Sequence, residues 1–575
     1  MDANTLDRKT IVVTGATSGI GLAIAKNLVH QGMNVIGTGR SSERCQVVQK
    51  QLSLLDPAVR VTYLTADLSL QSQVHALAAQ IRNLIEHSEH GWLDGLVNNA
   101  GTFSFWLAYT PEGYERQWAV NHLAPFLLTN ELLPLLQAAP AARIVTVTSG
   151  YRSSHLNWDD IQLRRDYNGL KAYAHTKYAN LLFTIELNAR LGLHSTVRAF
   201  AADPGLVKTE IGFKSVPPML RWIWDLRRSF GITPEESAKG IVYLVSEPKI
   251  KNSPEILWKQ RIPQRLSRGT IEGTSARKLW DLSTQMCGLN NGRQGQEQSR
   301  SAPSFLIQKF SVLITGATGG LGKAFAIECA NRGWNLFLTD THQGQLDILG
   351  TMLSRTYGIC VLQRACDLTD VSSRTELFDY IRATRLQYRL LINVAGLDYE
   401  GPFRDRTREE IRTLIRLNIE TTLEMTHELL ELHSPNKPFH IINVASAAAF
   451  TPMPIKAMYA ASKRFILDFT LALREEVRSE GVTVTALCPG GMPTTPETIE
   501  AIERQGWLGL ITTQNIGRVA YETIDAASAG RAMVVPGFLN RQLKRLVLMI
   551  PPSRLVPIMG KRWGHTRRKM NLDQA

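Results

Sequence analysis

Long apolar runs are missing from this chain. No stretch of about 18 consecutive apolar residues occurs among its 575 residues, so a membrane-spanning helix is not expected. The first ten residues, MDANTLDRKT, are polar and lead straight into a strand-like run, which predicts no signal peptide. Cysteine is scarce as well. Cys45, Cys287, Cys329, Cys360, Cys366 and Cys488 are scattered, form no CxxC pair and join no histidine at zinc-ligand spacing. This argues against a disulfide framework and against a structural zinc, and it predicts no metal and a cytoplasmic, reducing location.

Charge of one sign is abundant. The formal net charge is +14, which suits nucleic acid, anionic lipid or an anionic substrate. The basic residues are not gathered into a recognised motif with interleaved aromatics, so no nucleic-acid partner is predicted. From Arg541 to Ala575 there are nine Lys/Arg against one acid, Asp573, with apolar residues between them, as in RQLKRLVLMIPPSRLVPIMG. The segment reads as a basic extension that packs its apolar side on its own domain. Peripheral contact with a membrane surface is the sharper alternative. Pro551, Pro552 and Pro557 count against one long amphipathic helix.

A repeat decides the architecture. Residues 14–21 read TGATSGIG and residues 315–322 read TGATGGLG, an offset of 301. Strand-like runs occur at Thr10–Val13, Asn34–Thr38, Arg60–Leu64, Gly95–Asn98, Arg143–Thr148 and Thr196–Ala201. They recur at Phe310–Ile314, Asn335–Thr339, Cys360–Gln363, Leu390–Asn393, His440–Val444 and Val482–Leu487. Helical patterns lie between them, so the fold class is α/β, with two tandem doubly wound parallel-sheet domains. The predicted limits are residues 1–287, a linker at 288–307 (polar and rich in Gly, Ser, Gln and Asn), 308–540, and an extension at 541–575. SPEILWKQRIPQRL and SARKLWDLS, between residues 250 and 285, both read as helical candidates.

A strand–glycine turn–helix unit sets backbone N–H groups and a positive helix end against a pyrophosphate. Gly15, Gly19 and Gly21 fill TGxxxGxG in the first copy, and Gly316, Gly320 and Gly322 fill it in the second. The residue ending the second strand should choose the cofactor. VIGTGR ends in Arg40, which suggests NADP(H). LFLTDT carries Asp340, which suggests NAD(H). An ordinary solvated charge is the alternative at each position. Asp67 and Asp367 follow the third strands and are expected near the adenine, or else serve as turn-forming residues.

Both halves contain YxxxK, Tyr173/Lys177 and Tyr459/Lys463, a spacing that puts the two side chains on one helix face. A nearby ammonium and a cationic nicotinamide ring would favour the phenolate and lower the tyrosine pKa from near 10. Each helix follows a strand that ends in serine, Ser149 or Ser446, able to donate a hydrogen bond to the reacting oxygen.

With these residues in order, both halves resemble short-chain dehydrogenase/reductases over nearly the whole chain. The ordered set also includes Asn98-Asn99-Ala100-Gly101, Asn121 and Pro204-Gly205 in the first half. Its counterparts in the second are Asn393-Val394-Ala395-Gly396, Asn418 and Pro489-Gly490. The resemblance implies Rossmann-type domains with two Asn–Ser–Tyr–Lys tetrads. In that family Tyr is the acid/base, Lys lowers its pKa and holds the ribose, Ser polarises the substrate oxygen, and Asn supports a proton relay. It also implies cofactor contacts from Ser18, Ile20, Leu68, Asn98, Ala100, Gly101, Pro204, Gly205 and Thr209. The second set is Gly319, Leu321, Leu368, Asn393, Ala395, Gly396, Pro489, Gly490 and Thr494. Val394 replaces an asparagine that stabilises the central sheet in the family. The first half resembles the retinol dehydrogenase-like branch, with 24 residues from Ser149 to Tyr173. The second half, with 13 from Ser446 to Tyr459, resembles the broad group that includes steroid and 3-oxoacyl reductases.

The loop after Pro204-Gly205 predicts an apolar lid from Phe213, Met219, Leu220, Trp222, Ile223 and Trp224. Arg221, Arg227 and Arg228 could meet an anionic group, while simple packing of Trp222 and Trp224 on their own domain is the alternative. His155 and His175 read as structural, and Cys488 as core. The expected function is hydroxyl–carbonyl interconversion at two sites, on an apolar or biosynthetic alcohol or ketone. Its versions are action on successive groups of one substrate, a redox-neutral hydroxyl epimerase, and a fusion that replaces a homodimer by an intramolecular pseudo-dimer. A non-catalytic cofactor-binding scaffold or redox sensor is the alternative of another class.

Overall fold

The computed structural model describes residues 8–88, 90–208, 211, 216–218, 221–222, 229–250, 253–271, 273–289, 311–433 and 437–560. The predicted linker lies almost wholly outside them. So do Thr209, most of the predicted apolar lid and the last fifteen residues. The chain divides into two compact units. One is Met1–Trp106, Tyr114–Leu163 and Tyr167–Asn291; the other is Leu107–Gly113, Arg164–Asp166 and Gly292–Ala575.

The first sheet has eight strands: β1 (Thr10–Val13), β2 (Asn34–Gly39), β3 (Val61–Thr65), β4 (Gly95–Asn98), β5 (Ala142–Val147), β6 (Val197–Asp203), β7 (Leu257–Lys259) and β8 (Ile262–Gln264). Their order is β3-β2-β1-β4-β5-β6-β7-β8, all parallel except the β7–β8 hairpin. The second sheet has seven: β9 (Ser311–Thr315), β10 (Asn335–Asp340), β11 (Val361–Ala365), β12 (Tyr388–Asn393), β13 (Phe439–Val444), β14 (Val482–Leu487) and β15 (Met533–Val534). They run β11-β10-β9-β12-β13-β14-β15, all parallel. The central strands are apolar along their length because helices cover both faces; β4 and β5 are buried at every residue. In each sheet the order reverses beside the first strand, between β1 and β4 and between β9 and β12. A ligand crevice forms at such a switch point, beyond the carboxyl ends of the strands.

The helices Gly19–His30 and Gly320–Asn331 start at these crevices, and neither has a side-chain cap at its first turn. Uncapped first-turn N–H groups suit an anionic ligand. The first copy adds a device of its own. Gly37 on β2 leaves a hole that the Tyr63 ring of β3 fills, so that any side chain at 37 would run into the ring. The Tyr63 hydroxyl donates to Ala16 O, 3.0 Å away in the glycine turn.

Two sequence readings change. SPEILWKQRIPQRL is not helical: residues 257–259 pair with β6 and turn back as β8, with Gln260 at φ +56°. Trp258 is buried against Phe200, and Pro263, which has no N–H to donate, lies on the edge strand where none is required. SARKLWDLS does form a helix, Ser275–Cys287. The C-terminal segment forms a helix at Phe538–Met549 that ends before Pro551. A second helical segment spans residues 552–560 and contains Pro557. Along the Phe538–Met549 helix, Leu546, Leu548 and Met549 are exposed. Among the described residues no helix is long and apolar enough to cross a membrane.

Gly37→Val should destabilise the first unit by about 1–3 kcal/mol through overpacking against Tyr63. Gly37→Val/Tyr63→Val should recover part of that loss. Thermal denaturation of the three chains checks this, and additive losses would show that the two residues do not share the space.

Candidate active site

Each glycine turn leaves its strand in a backbone conformation that demands glycine. Gly15 has φ +65°, Gly19 +52° and Gly316 +62°. Gly21 and Gly322 lie against the carbonyls of Gly15 and Gly316, so a side chain there would push the turn off its helix. Thr494 packs on Gly320. This is a cradle with no Cβ at its floor, and a dinucleotide pyrophosphate fits it. Ile20, Gly101, Pro204 and Gly205 line one cavity together with Ser149, Tyr173 and Lys177.

The crevice sides are knitted by hydrogen bonds within each domain. Asn98 and Asn393 are buried. Asn98 Nδ2 donates to Thr129 Oγ1 (2.9 Å), and Asn393 Nδ2 to Asn443 Oδ1 (2.9 Å). Both side chains are thereby bonded within their own domains. Asn99 Nδ2 donates to Thr14 O at 2.9 Å and ties β4 to β1. Val394 has no such group, and there Thr315 Oγ1 accepts from the Val394 and Ala395 N–H groups, much as Thr14 Oγ1 accepts from Asn99 and Ala100. Asp67 and Asp367 each use Oδ1 to accept from the N–H two residues on, Ser69 and Thr369, at 2.9 Å. They form turns, with Leu68 half-buried and Leu368 buried between the partners.

Arg40 and Asp340 do not occupy equivalent positions. The Ala66 N–H donates to Gly39 O just as the Cys366 N–H donates to Asp340 O, both at 2.9 Å. Gly39 is thus the counterpart of Asp340, and Arg40 stands one residue further on, exposed. Asp340 Oδ2 accepts from the N–H (2.9 Å) and hydroxyl (2.7 Å) of Thr318 in the glycine turn. At the first site the Thr17 side chain fills that space over Gly39. One site therefore has a carboxylate pinned beside its turn. The other has none there and an arginine next door.

The tetrad residues assemble in both units. Lys177 Nζ donates to Val147 O at 3.0 Å, and Lys463 Nζ donates to Val444 O at 2.9 Å, each at the end of the strand that precedes the serine. Both lysines are buried, and burial pushes both down to about 8. The ammonium lies 5.5 Å from the Tyr173 ring centre in one site and 5.9 Å from the Tyr459 ring centre in the other. Asn121 Oδ1 accepts from the Thr102 N–H (2.7 Å), and its amide donates to Thr176 Oγ1 (3.1 Å), whose hydroxyl donates to Tyr173 O (2.8 Å). Asn418 repeats this through Leu397 (2.7 Å), Ser462 (3.1 Å) and Tyr459 O (2.8 Å).

At Tyr459 the expected lowering of the phenol pKa is not found in the protein alone. Burial raises the Tyr459 phenol, against the effect of its hydrogen bond with Ser446. Asp398 raises it further and Lys456 lowers it, and burial is the largest of these effects.

Sequence reading missed how the asparagines are aimed. Each sits on a single wide turn with i→i+5 bonding, Ala119–Leu123 and Arg416–Glu420, inside an otherwise regular helix. Such bulges rotate one side chain out of the helical ladder, and no residue pattern announces them. In the first unit two further contacts hold the bulge. His122 Nε2 and Ser283 Oγ share a hydrogen bond of 2.8 Å, and burial pushes His122 down to about 3, so it is neutral. Glu115 accepts from the Gln117 (2.9 Å) and Trp118 (2.6 Å) N–H groups at the start of the same helix. Of the remaining predicted residues, His175 packs on Trp118, with ring centres 6.0 Å apart, and Cys488 lies beside Ser446 and Lys463. His155 is exposed, His175 and Cys488 are buried, and Trp222 is 65% exposed rather than packed.

A family model described as short chain dehydrogenase matches residues 9–218 and 311–505, more than half of the chain. Human retinol dehydrogenase 14 is 34% identical over 303 residues, covering 50% of this chain and 89% of the relative. Human retinol dehydrogenase 13 is 34% identical over 303 residues (50% and 86%), and human polyprenol dehydrogenase 31% over 302 (49% and 86%). Retinol dehydrogenase-like relatives cover the N-terminal half. A solved structure concerning 7beta-hydroxysteroid dehydrogenase stereoselectivity is similar with TM-score 0.41 and 23% identity, covering 44% of this chain and 98% of that one. A short-chain dehydrogenase from Sphingobium yanoikuyae in complex with NADPH gives 0.36 and 24%, covering 45% and 95%. The chain belongs to the short-chain dehydrogenase family and is an NAD(P)-dependent oxidoreductase acting on CH–OH groups.

Proposed function

We propose that the chain is bifunctional, with hydroxyl–carbonyl interconversion in each of two domains, residues 1–287 and 308–540. One observation carries this: the buried Lys–Tyr–Asn arrangement is complete in both halves, with the same bonds at the same positions. A bound nicotinamide would accept or return the hydride, and its oxidised ring would add the positive charge that favours tyrosinate. In the oxidative direction the tyrosine oxygen takes the substrate hydroxyl proton as hydride leaves the same carbon. In the reductive direction the tyrosine returns that proton to the carbonyl oxygen. Ser149 and Ser446 hold the substrate oxygen by a hydrogen bond.

The first site is read as NADP(H)-binding, with Arg40 for the 2′-phosphate and Gly39 free of a repelling carboxylate. The second is read as NAD(H)-binding through Asp340. Opposite cofactors favour a second reading, a redox-neutral hydroxyl epimerase in which one site oxidises and the other reduces. Exposed Leu546, Leu548 and Met549 beside Lys544 and Arg545 support peripheral contact of the C-terminal segment with an anionic membrane surface.

Tyr173→Phe and Tyr459→Phe should each remove one of two activities, lowering its rate by roughly 10²–10⁴-fold while dinucleotide binding persists. Rates with each cofactor over a panel of alcohols and ketones check this; full activity in the double variant would identify a scaffold instead. An epimerase would lose inversion of a hydroxyl centre in either single variant.

In the Tyr459→Phe background, Arg40→Ser should weaken NADPH binding by roughly 10- to 150-fold, the range for one charge-assisted hydrogen bond, and leave NADH unchanged. The KM for each cofactor, read from turnover that only the first site supports in this background, decides it, and equal losses for both would refute the assignment.

The buried lysines link the fold to pH. Unfolded lysine keeps its proton to about 10.4, whereas Lys177 and Lys463 lose theirs near 8 in the folded chain. The unfolded state therefore binds more protons across this window, and stability rises with pH from 8 towards 10. The cofactor-free chain should show this rise in its unfolding midpoint, and Lys177→Met/Lys463→Met should flatten it.

A further inference from the structure

The two sites diverge at two positions that face the reacting centre. The equivalent N–H···Asn bonds of Thr102 and Leu397 align the segments after the asparagine-glycine turns. Phe103 therefore corresponds to Asp398. Three residues before the tyrosines, Leu170 corresponds to Lys456. Phe103 and Leu170 line the first cleft with Tyr173, and the Phe103 ring centre lies 6.4 Å from that of Tyr173. In the second site the counterparts form an ion pair: Lys456 Nζ is 2.6 Å from Asp398 and 3.1 Å from Glu400. The Lys456 ammonium is 6.0 Å from the Tyr459 ring centre. Ile455, beside it, is held at φ +62°, a costly conformation for a β-branched residue.

Resting on the proposed catalytic reading, we infer that the second site selects an uncharged substrate with a hydroxyl next to its reacting carbonyl, through Lys456 and Asp398, whereas the first selects an apolar carbon skeleton through Phe103 and Leu170. An ammonium has three N–H donors, and two of those of Lys456 point at carboxylates, which leaves one for a substrate oxygen. Asp398 keeps lone pairs for a substrate O–H. The Lys456 ammonium is already shared between two carboxylates, so an anionic substrate group would have to compete with both for it. An apolar group laid on the pair would strip its water without replacing the hydrogen bonds. At the first site the same apolar group displaces water from a phenyl ring and a leucine, which is favourable.

The test uses the full chain carrying Tyr173→Phe, so that only the second site turns over, with NADH and two ketones, 2-octanone and 1-hydroxy-2-octanone. The expected ratio of kcat/KM favours the hydroxyketone. Asp398→Phe/Lys456→Leu, which removes both charges together and leaves only the partly exposed Glu400 carboxylate without its ammonium, should lower that ratio at least tenfold, with NADH affinity kept within about twofold. An unchanged ratio with NADH affinity retained would overturn the inference. If the double variant loses NADH binding, the reciprocal pair Phe103→Asp/Leu170→Lys in the Tyr459→Phe chain, assayed with NADPH, carries the test. There the ratio should rise, and a constant ratio overturns the inference. A Tyr173→Phe chain that binds NADH but reduces neither ketone overturns the catalytic reading of the second site, and the inference with it.

Discussion

A buried lysine ammonium at the end of a parallel strand governs each site. Taking such a charge out of water is costly, and the structure compensates with a strand-end carbonyl that the sheet holds in place: Val147 O for Lys177, Val444 O for Lys463. The lysine helix must therefore cross the sheet at one height and one rotation. That same crossing brings the tyrosine, one turn earlier, to the crevice at the switch point. The asparagine on its wide turn ties the tyrosine's own backbone to the segment after β4 or β12. Charge, base and cofactor cradle are consequently one packed object rather than three neighbouring features.

Around this shared frame the halves have been finished differently. The first unit fills the gap over Gly37 with Tyr63 and braces its asparagine turn with His122 and Ser283 from the helix Ser275–Cys287. The second leaves its cradle to Asp340 and Thr318. Towards substrate, one site offers a phenyl ring and a leucine, and the other offers an ion pair. The catalytic step asks for the same proton and hydride geometry in both, so the frame is repeated. Cofactor phosphate and substrate polarity act through residues that line the crevice and take no part in the lysine, tyrosine and asparagine bonds, so they can differ while the frame is kept.

Much of this was legible in the residues. Apolar runs alternating with helical patterns are enough to announce a parallel sheet covered on both faces, and β1, β4 and β14 fall at the limits that the sequence predicts. Glycines at 15, 19 and 21 speak plainly because positive φ and close approach admit little else. The helical reading of residues 253–266 failed because the run is too short to separate a period of two from one of 3.6. What makes 257–259 a strand is an unpaired edge on β6, which lies about fifty residues away in the chain. Arg40 and Asp340 looked equivalent because both stand near the end of a second strand, but the repeat offset of 301 already pairs Asp340 with Gly39, and the hydrogen bonds to Ala66 and Cys366 bear that out.

The sequence by itself determined the repeat, the α/β class, the glycine turns and the pairing of tyrosine with lysine, because each rests on local periodicity or on residues that no other type can replace. Tertiary structure alone decided where the asparagines point, which strand-end carbonyls receive the lysines, and that Phe103 with Leu170 stands where Asp398 with Lys456 stands in the other half. Those relations join segments dozens of residues apart. They are set by burial and by the hydrogen bonds that burial makes obligatory, and neither has a signature in the order of residues along the chain.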